Sequence, residues 1–194
     1  LVFIFPYRLY TSYAPALAQY QPHHVVKSVT ADDWLTGNAK GLQDRRVLLD
    51  GEFGEPFKIQ TDLDITDISQ QLENSEWTKQ DGGQASLLPL TNAGHPPLAT
   101  FTRQIPAVPD QREVLRVWNS GVGIVKDVSP NPLLYMSVTR ETLEPVFAGY
   151  SLVENALLAP GQLKSTIEEI VNLLDGNVVS RRTNDSNQYI IFRR

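Results

Sequence analysis

The sequence predicts an α+β domain, a mainly antiparallel sheet with two or three helices packed on one face. Three observations carry this. Six or more short β-prone runs alternate with turn signals, and most are joined too closely for the crossover that a parallel pair needs. Two stretches, 65–74 and 162–174, carry apolar residues at helical spacing. The chain has 194 residues and is 41% hydrophobic, enough to bury one sizeable core, and it shows no internal repeat and no low-complexity linker.

Taken in order, residues 6–30 are rich in Tyr, Pro and Gln without a sustained period and read as an extended leader. The domain is expected over 31–194. Its first element is a short helix over 31–41, opening at Thr30 or Asp32, stopping near Gly41 and turning Trp34 and Leu35 inward. Residues 46–49 and 57–61 read as two adjacent strands or a hairpin, joined by the turn-rich Asp50-Gly-Glu-Phe-Gly-Glu55. Asp64 then caps a helix over 65–74, with Ile65, Ile68 and Leu72 on one face. Trp77 follows on a strand-like stretch, ended by Asp81-Gly82-Gly83. Residues 84–97 hold three prolines and form a long irregular excursion, of a length that is uncommon in compact domains and often functional.

Strands follow over 98–105 and 112–119, the second placing Val114, Arg116 and Trp118 on one face and Leu115 and Val117 on the other. Asn119-Ser120-Gly121 reads as a turn, and Gly121-Val-Gly123 as a turn between strands. Further strands are expected over 133–139, 146–153 and 188–192. Between the last two lies the clearest helix, 162–174, with Leu163, Ile167, Ile170, Val171 and Leu174 in one stripe, stopped by Gly176.

Composition excludes several classes of function. A net charge of -5 with scattered basic residues argues against a nucleic-acid surface, whose affinity rests on neutralising phosphates. The absence of cysteine removes disulfides, thiolate nucleophiles and cysteine-based metal sites. His23-His24 is a poor chelate because neighbours on an extended chain point to opposite sides, and His95 stands apart, so no metal site is expected. No dinucleotide or Walker glycine pattern, no Gly-x-Ser-x-Gly and no set of paired carboxylates outside turns, caps and a solvated helix face is present. Neither a cofactor nor a catalytic residue is expected. The informative charges are Arg103 and Arg116, each inside an otherwise apolar strand, where a guanidinium could bind a carboxylate or lipid phosphate through two hydrogen bonds. The alternative is that each is exposed on the sheet or pairs with an internal Asp or Glu. Trp77 and Trp118 read as core anchors.

The start of the chain is continuously apolar over Leu1-Val-Phe-Ile-Phe5 and is followed by Pro6-Tyr-Arg-Leu-Tyr10, an aromatic and basic flank suited to a membrane interface. Five residues cannot span a bilayer, which needs about 20. With Leu1 first and Met136 the only methionine, the chain is read as lacking an upstream part, and the apolar run as the tail of a span or as an ordinary buried strand. A signal-peptide reading of Ala14-Pro-Ala is disfavoured by the polar chain before it.

Arg46-Val-Leu-Leu-Asp-Gly51, Pro56-Phe-Lys-Ile-Gln60, Trp77, Pro96-Pro97 and Leu115-Arg-Val-Trp118 recur in the order and rough spacing of one family. The chain resembles the LssY-like C-terminal domain of bacterial membrane proteins, sometimes fused behind DedA or type 2 phosphatidic acid phosphatase membrane regions. The likeness covers about residues 33–148. Thr61 stands where relatives often carry Trp, and the phosphatase motifs of the fusion partner are absent. The resemblance implies a non-catalytic accessory or ligand-sensing domain at a bacterial membrane, linked to lipid-phosphate metabolism or envelope transport, with the extracytoplasmic side favoured. The implied partners are the membrane, through the segment upstream of Leu1, and an anionic lipid headgroup or a membrane protein. The alternatives are an independent hydrolase with an unrecognised site and a protein–protein docking module.

Overall fold

A computed structural model describes residues 27–80, 90–106, 108–126, 130–145, 151–182 and 187–193, the side chains of 144, 145, 151–155, 181, 182 and 187 excepted. The chain is α+β, with three helices and one large mixed sheet among the described residues. The strands are β1 (Lys27–Thr30), β2 (Arg45–Val47), β3 (Phe53–Pro56), β4 (Ile59–Thr61), β5 (Thr78–Lys79), β6 (Ala99–Gln104), β7 (Gln111–Val125), β8 (Asn131–Pro145), β9 (Ser151–Ala156), β10 (Asn177–Arg182) and β11 (Asn187–Phe192). The helices are α1 (Ala31–Thr36), α2 (Ile65–Glu73) and α3 (Pro160–Leu173). The large sheet runs β10-β11-β4-β8-β7-β6-β5, with β1 added to β7 and β9 to β8. β1 runs parallel to β7 and β11 parallel to β4, while the other pairs are antiparallel.

The helix ends follow from capping chemistry. Thr30 caps α1 by accepting from the Asp33 amide at 3.1 Å. The helix stops at Gly37, whose φ of 83° only glycine adopts cheaply, earlier than the expected end near Gly41. Asp64 caps α2, accepting from the Thr66 amide at 2.7 Å, and these hydrogen bonds hold its carboxyl below the usual carboxylate range. α3 begins with Pro160, two residues before the expected start, and its cap residue Ala159 supplies no side-chain hydrogen bond.

Strand pairing departs from expectation in four places. Arg45–Val47 pairs with Phe53–Pro56 in a separate two-stranded sheet, and not with the run from Phe57 on. The reason is local: Gly51 takes φ +86°, the Glu52 amide donates to Asp50 Oδ1, and Leu48 and Glu52 are bonded backbone to backbone, so the hairpin closes at once. This frees Ile59–Thr61 to pair with β8 and β11. Second, Asn119-Ser120-Gly121 does not end β7 but forms an irregularity inside it, with Gly121 at φ +70° and the Asn119 and Ser120 side chains accepting from the Gly121 and Val122 amides. Third, the last four residues of the leader form β1. Fourth, Asn177–Arg182 is a strand that the sequence reading passed over.

Two apolar clusters lie on the two faces of the sheet, as alternation along β7 and β8 requires. One holds Leu115, Val117, Leu134 and Met136 under Ile68 and Leu72 of α2 and Ile167 and Ile170 of α3. The other holds Trp118, Tyr135, Leu133 and Ile190 together with Trp34 of α1, so α1 departs from the expectation of helices on one face. Trp118 and Ile59, expected in the core, are 1% and 0% exposed. Trp34 donates to Gln60 Oε1 at 2.8 Å, and Phe57 stacks on Tyr135 with ring centroids 4.8 Å apart.

Candidate functional site

Arg103 and Arg116 lie on opposite faces of the sheet and do not form one site. Arg103 sits beside Glu113 in the β6–β7 register, on the face covered by α3. Its Nη2 meets Glu113 Oε2 at 2.6 Å, its Nη1 meets Glu169 of α3, and its guanidinium lies 4.8 Å from the Trp77 ring centroid. Glu113 also accepts from Thr166 at 2.9 Å and Gln162 at 3.1 Å. Burial acts to lower the Arg103 pKa, but the hydrogen bonds to Glu113 and Glu169 outweigh it and raise it. The cluster ties α3 to the sheet.

Arg116 is 4% exposed on the other face and donates to Thr139 Oγ1 at 2.9 Å and to Glu141. Arg112 Nε holds the second oxygen of Glu141 at 2.8 Å. Alongside, Arg46 donates to Glu55 at 2.7 Å and to the Thr91 carbonyl at 2.7 Å, while Ser137 links Glu55 to the Trp118 indole. Burial pushes the Arg116 guanidinium down against the pull of Glu141 and Glu55. Thus the part of the 84–97 excursion that is described, from Leu90 on, borders this charged row: Thr91 meets Arg46, and Asn92 accepts from the Val47 amide and donates to Gln43. Both arginines are therefore engaged by carboxylates of their own face. Residues 81–89 lie outside the described residues.

A third place was not marked by the sequence. The outer edge of β8 pairs with β4 at Leu134, Tyr135 and Met136 and with β9 from Arg140 onward, leaving Ser137, Val138 and Thr139 with a described strand neighbour only on the β7 side. At this fork the chain entering β4 and the chain leaving β9 diverge, and a cavity of about 400 Å³ opens between them. Its apolar wall is Phe57, Leu157, Leu158, Leu163, Ile167 and Tyr189. Leu158 and Ile167 are buried, whereas Leu157 stands 56% exposed at the mouth. The described charged residues of the lining are Asp44, Arg45, Lys58 and Lys164. The Nε of Arg45 is buried and has no hydrogen-bond partner among the described residues. Lys164 has only a loose pairing with Glu168, 3.8 Å away on the exposed surface of α3.

Sequence reasoning missed this place because its described walls come from four separate segments. Two signals pointed toward it: Lys58 interrupts the apolar run Phe57-Lys58-Ile59, and Arg45 stands beside Arg46. Among the described residues no group of His, Asp and Glu could hold a metal ion, and His23-His24 lies outside them. No described helix is long and apolar enough to cross a membrane, and Leu1-Val-Phe-Ile-Phe5 is outside the described residues. Comparison with family models, with curated proteins and with solved structures finds no match for this chain.

Proposed function

We propose that the chain is a non-catalytic ligand-binding accessory domain of a bacterial membrane protein, with the cavity at the sheet fork as its ligand site. The observation that carries this is the cavity itself. At about 400 Å³, with an apolar wall and a few convergent polar groups, it has the size and lining of small-molecule sites, which run from roughly 300 to 1,000 Å³. No described nucleophile–base pair or carboxylate pair converges there, which supports binding over turnover. The resemblance to LssY-like domains, and the apolar and aromatic run before the domain, support a tether to the membrane, with lipid-phosphate metabolism or envelope transport as the setting and the extracytoplasmic face as the side.

The test is titration with Nile red, a neutral fluorophore that brightens in apolar sites. A saturable signal is expected, lost in Leu157→Asp with an unchanged melting temperature because Leu157 is already exposed. Absence of saturation would remove the ligand-binding reading, and turnover of nitrophenyl phosphate or acyl esters by the pure protein would favour the hydrolase instead.

A second reading, docking onto a membrane protein, is favoured by Leu49 and Phe53, which stand 80% and 71% exposed on the β2–β3 hairpin. It expects Leu49→Ser with Phe53→Ser to release the protein from its membrane fraction while Nile red binding persists. Retention of the double variant would count against it.

A further inference from the structure

We infer that the outer edge of β10 is a self-association surface, and that two copies of this chain pair there about a twofold axis into one continuous sheet. β10 ends the large sheet, and no described strand lies beyond it. Natural proteins blunt such an edge with a very short strand, a lysine, a proline or a bulge, because its unpaired backbone groups would otherwise template another chain. The opposite end of the sheet is blunted in this way: β5 is two residues long and one of them is Lys79. β10 is built differently. It runs six residues in unbroken register with β11, and its first four, Asn177-Val-Val-Ser180, hold no proline and no charge. All four are exposed, Val178 at 45% and Val179 at 36% on the two faces, so the edge stands open on both sides.

The phase of the backbone hydrogen bonds fixes what this edge offers. The Tyr189 amide donates to the Lys58 carbonyl at 2.9 Å, so it points toward β4 and away from Ser180, its partner in β10. Ser180, and Val178 two residues before it, therefore exchange no backbone bonds with β11, and their N–H and C=O groups point outward. A twofold axis through Val178, perpendicular to the sheet, uses these groups in antiparallel pairing. Val178 exchanges both bonds with its twin and meets its side chain, Ser180 faces Gly176, and Val179 faces Asn177. Charge selects this register. Asp175 precedes the strand and Arg181-Arg182 end it, so pairing about Val178 sets Asp175 of each copy opposite position 181 of the other. An axis at Val179 would set Asp175 opposite Thr183 instead, and parallel pairing would set the arginines side by side.

The experiment is sedimentation equilibrium of the full chain over a concentration series, with hydrogen exchange read at the Val178 and Ser180 amides. A monomer–dimer equilibrium is expected, and both amides should be protected in concentrated protein and exchange freely on dilution. Val178→Pro removes an outward donor without touching a bond to β11, a change that an edge strand tolerates, and should weaken the dimer by roughly tenfold or more. Val178→Lys should do the same by setting two like charges at the axis, and it carries the test if the proline variant does not fold. Asp175→Arg should also weaken the dimer, and Asp175→Arg combined with Arg181→Asp should restore it. A chain that stays monomeric up to about 1 mM would overturn the proposal. So would a dimer as tight in Val178→Lys as in the wild type, or exchange at the two amides that does not depend on concentration. An open series of larger oligomers would overturn the twofold, because head-to-tail pairing of unlike edges does not close.

Discussion

A guanidinium 4% exposed in a sheet face has lost most of its hydration, and Arg116 recovers it from Glu141, Thr139 and the nearby charge of Glu55. Glu141→Leu should therefore destabilise by about 3–5 kcal/mol, the cost of breaking a buried pair from one side, read as a lower denaturation midpoint. The double change Arg116→Met, Glu141→Leu should cost less than the sum of its parts, because the buried Arg116 charge is then not left behind and only the more exposed Arg112 loses its partner. Asp64 presents the opposite case, an exposed carboxylate held down by the Thr66 amide. Its folded pKa lies below its unfolded one, so its contribution is fully present above the unfolded value of about 3.9 and is lost as pH falls through the folded value. Asp64→Ala should cost about 1 kcal/mol at neutral pH and progressively less in acid. A cost that does not change with pH would show that the cap acts through shape alone. Whether an internal arginine pairs or binds a ligand was not legible in the sequence. Arg103 and Glu113 stand ten residues apart in the chain, and only the β6–β7 register makes them neighbours.

At the scale of elements, what could be read was what is local. The cap of α2, the apolar stripe of α3 and the alternation of Val114, Arg116 and Trp118 are set by neighbouring residues, and the structure places all three as expected. Illegible were the choices made by distant partners. Asn119-Ser120-Gly121 has the composition of a turn, but β8 continues opposite it, so the same residues become a kink within one strand. Glycines separate the two kinds of constraint. A Cβ on Gly176 would stand 2.7 Å from Ile191 Cγ2, an atom fixed close to its backbone, so Gly176→Ala should destabilise by about 1–3 kcal/mol. Gly161, in the first turn of α3, has nothing within 4 Å, and Gly161→Ala should instead stabilise by roughly 0.4–1 kcal/mol. Thermal melts of the two variants should move in opposite directions. Trp118→Ala, which opens a cavity between α1 and the sheet and removes the indole donor to the Ser137 hydroxyl, should cost about 3–5 kcal/mol. A loss below about 1 kcal/mol would place that strand outside the core.

For the whole molecule, the boundary between leader and domain moves toward the amino end. Lys27–Thr30 pairs with Val122–Val125 and Thr30 caps α1, so a fragment starting at residue 27 should melt higher than one starting at residue 31. If the tether proposal holds, protein carrying its upstream segment should fractionate with membranes, and the fragment from residue 27 should not. Recovery of the longer form without detergent would argue against a tether.

The position of β11 bears on how the chain is made. Its residues Tyr189, Ile190 and Ile191 lie between β10 and β4, and the Gln188 amide reaches back to the Phe57 carbonyl across 131 positions. During synthesis the β11 flank of β4 stays vacant until a neighbour some 131 positions further along the chain emerges. The nascent chain must hold that apolar edge in readiness, which makes it a place where chaperones would bind and where a premature stop would leave an aggregation-prone product.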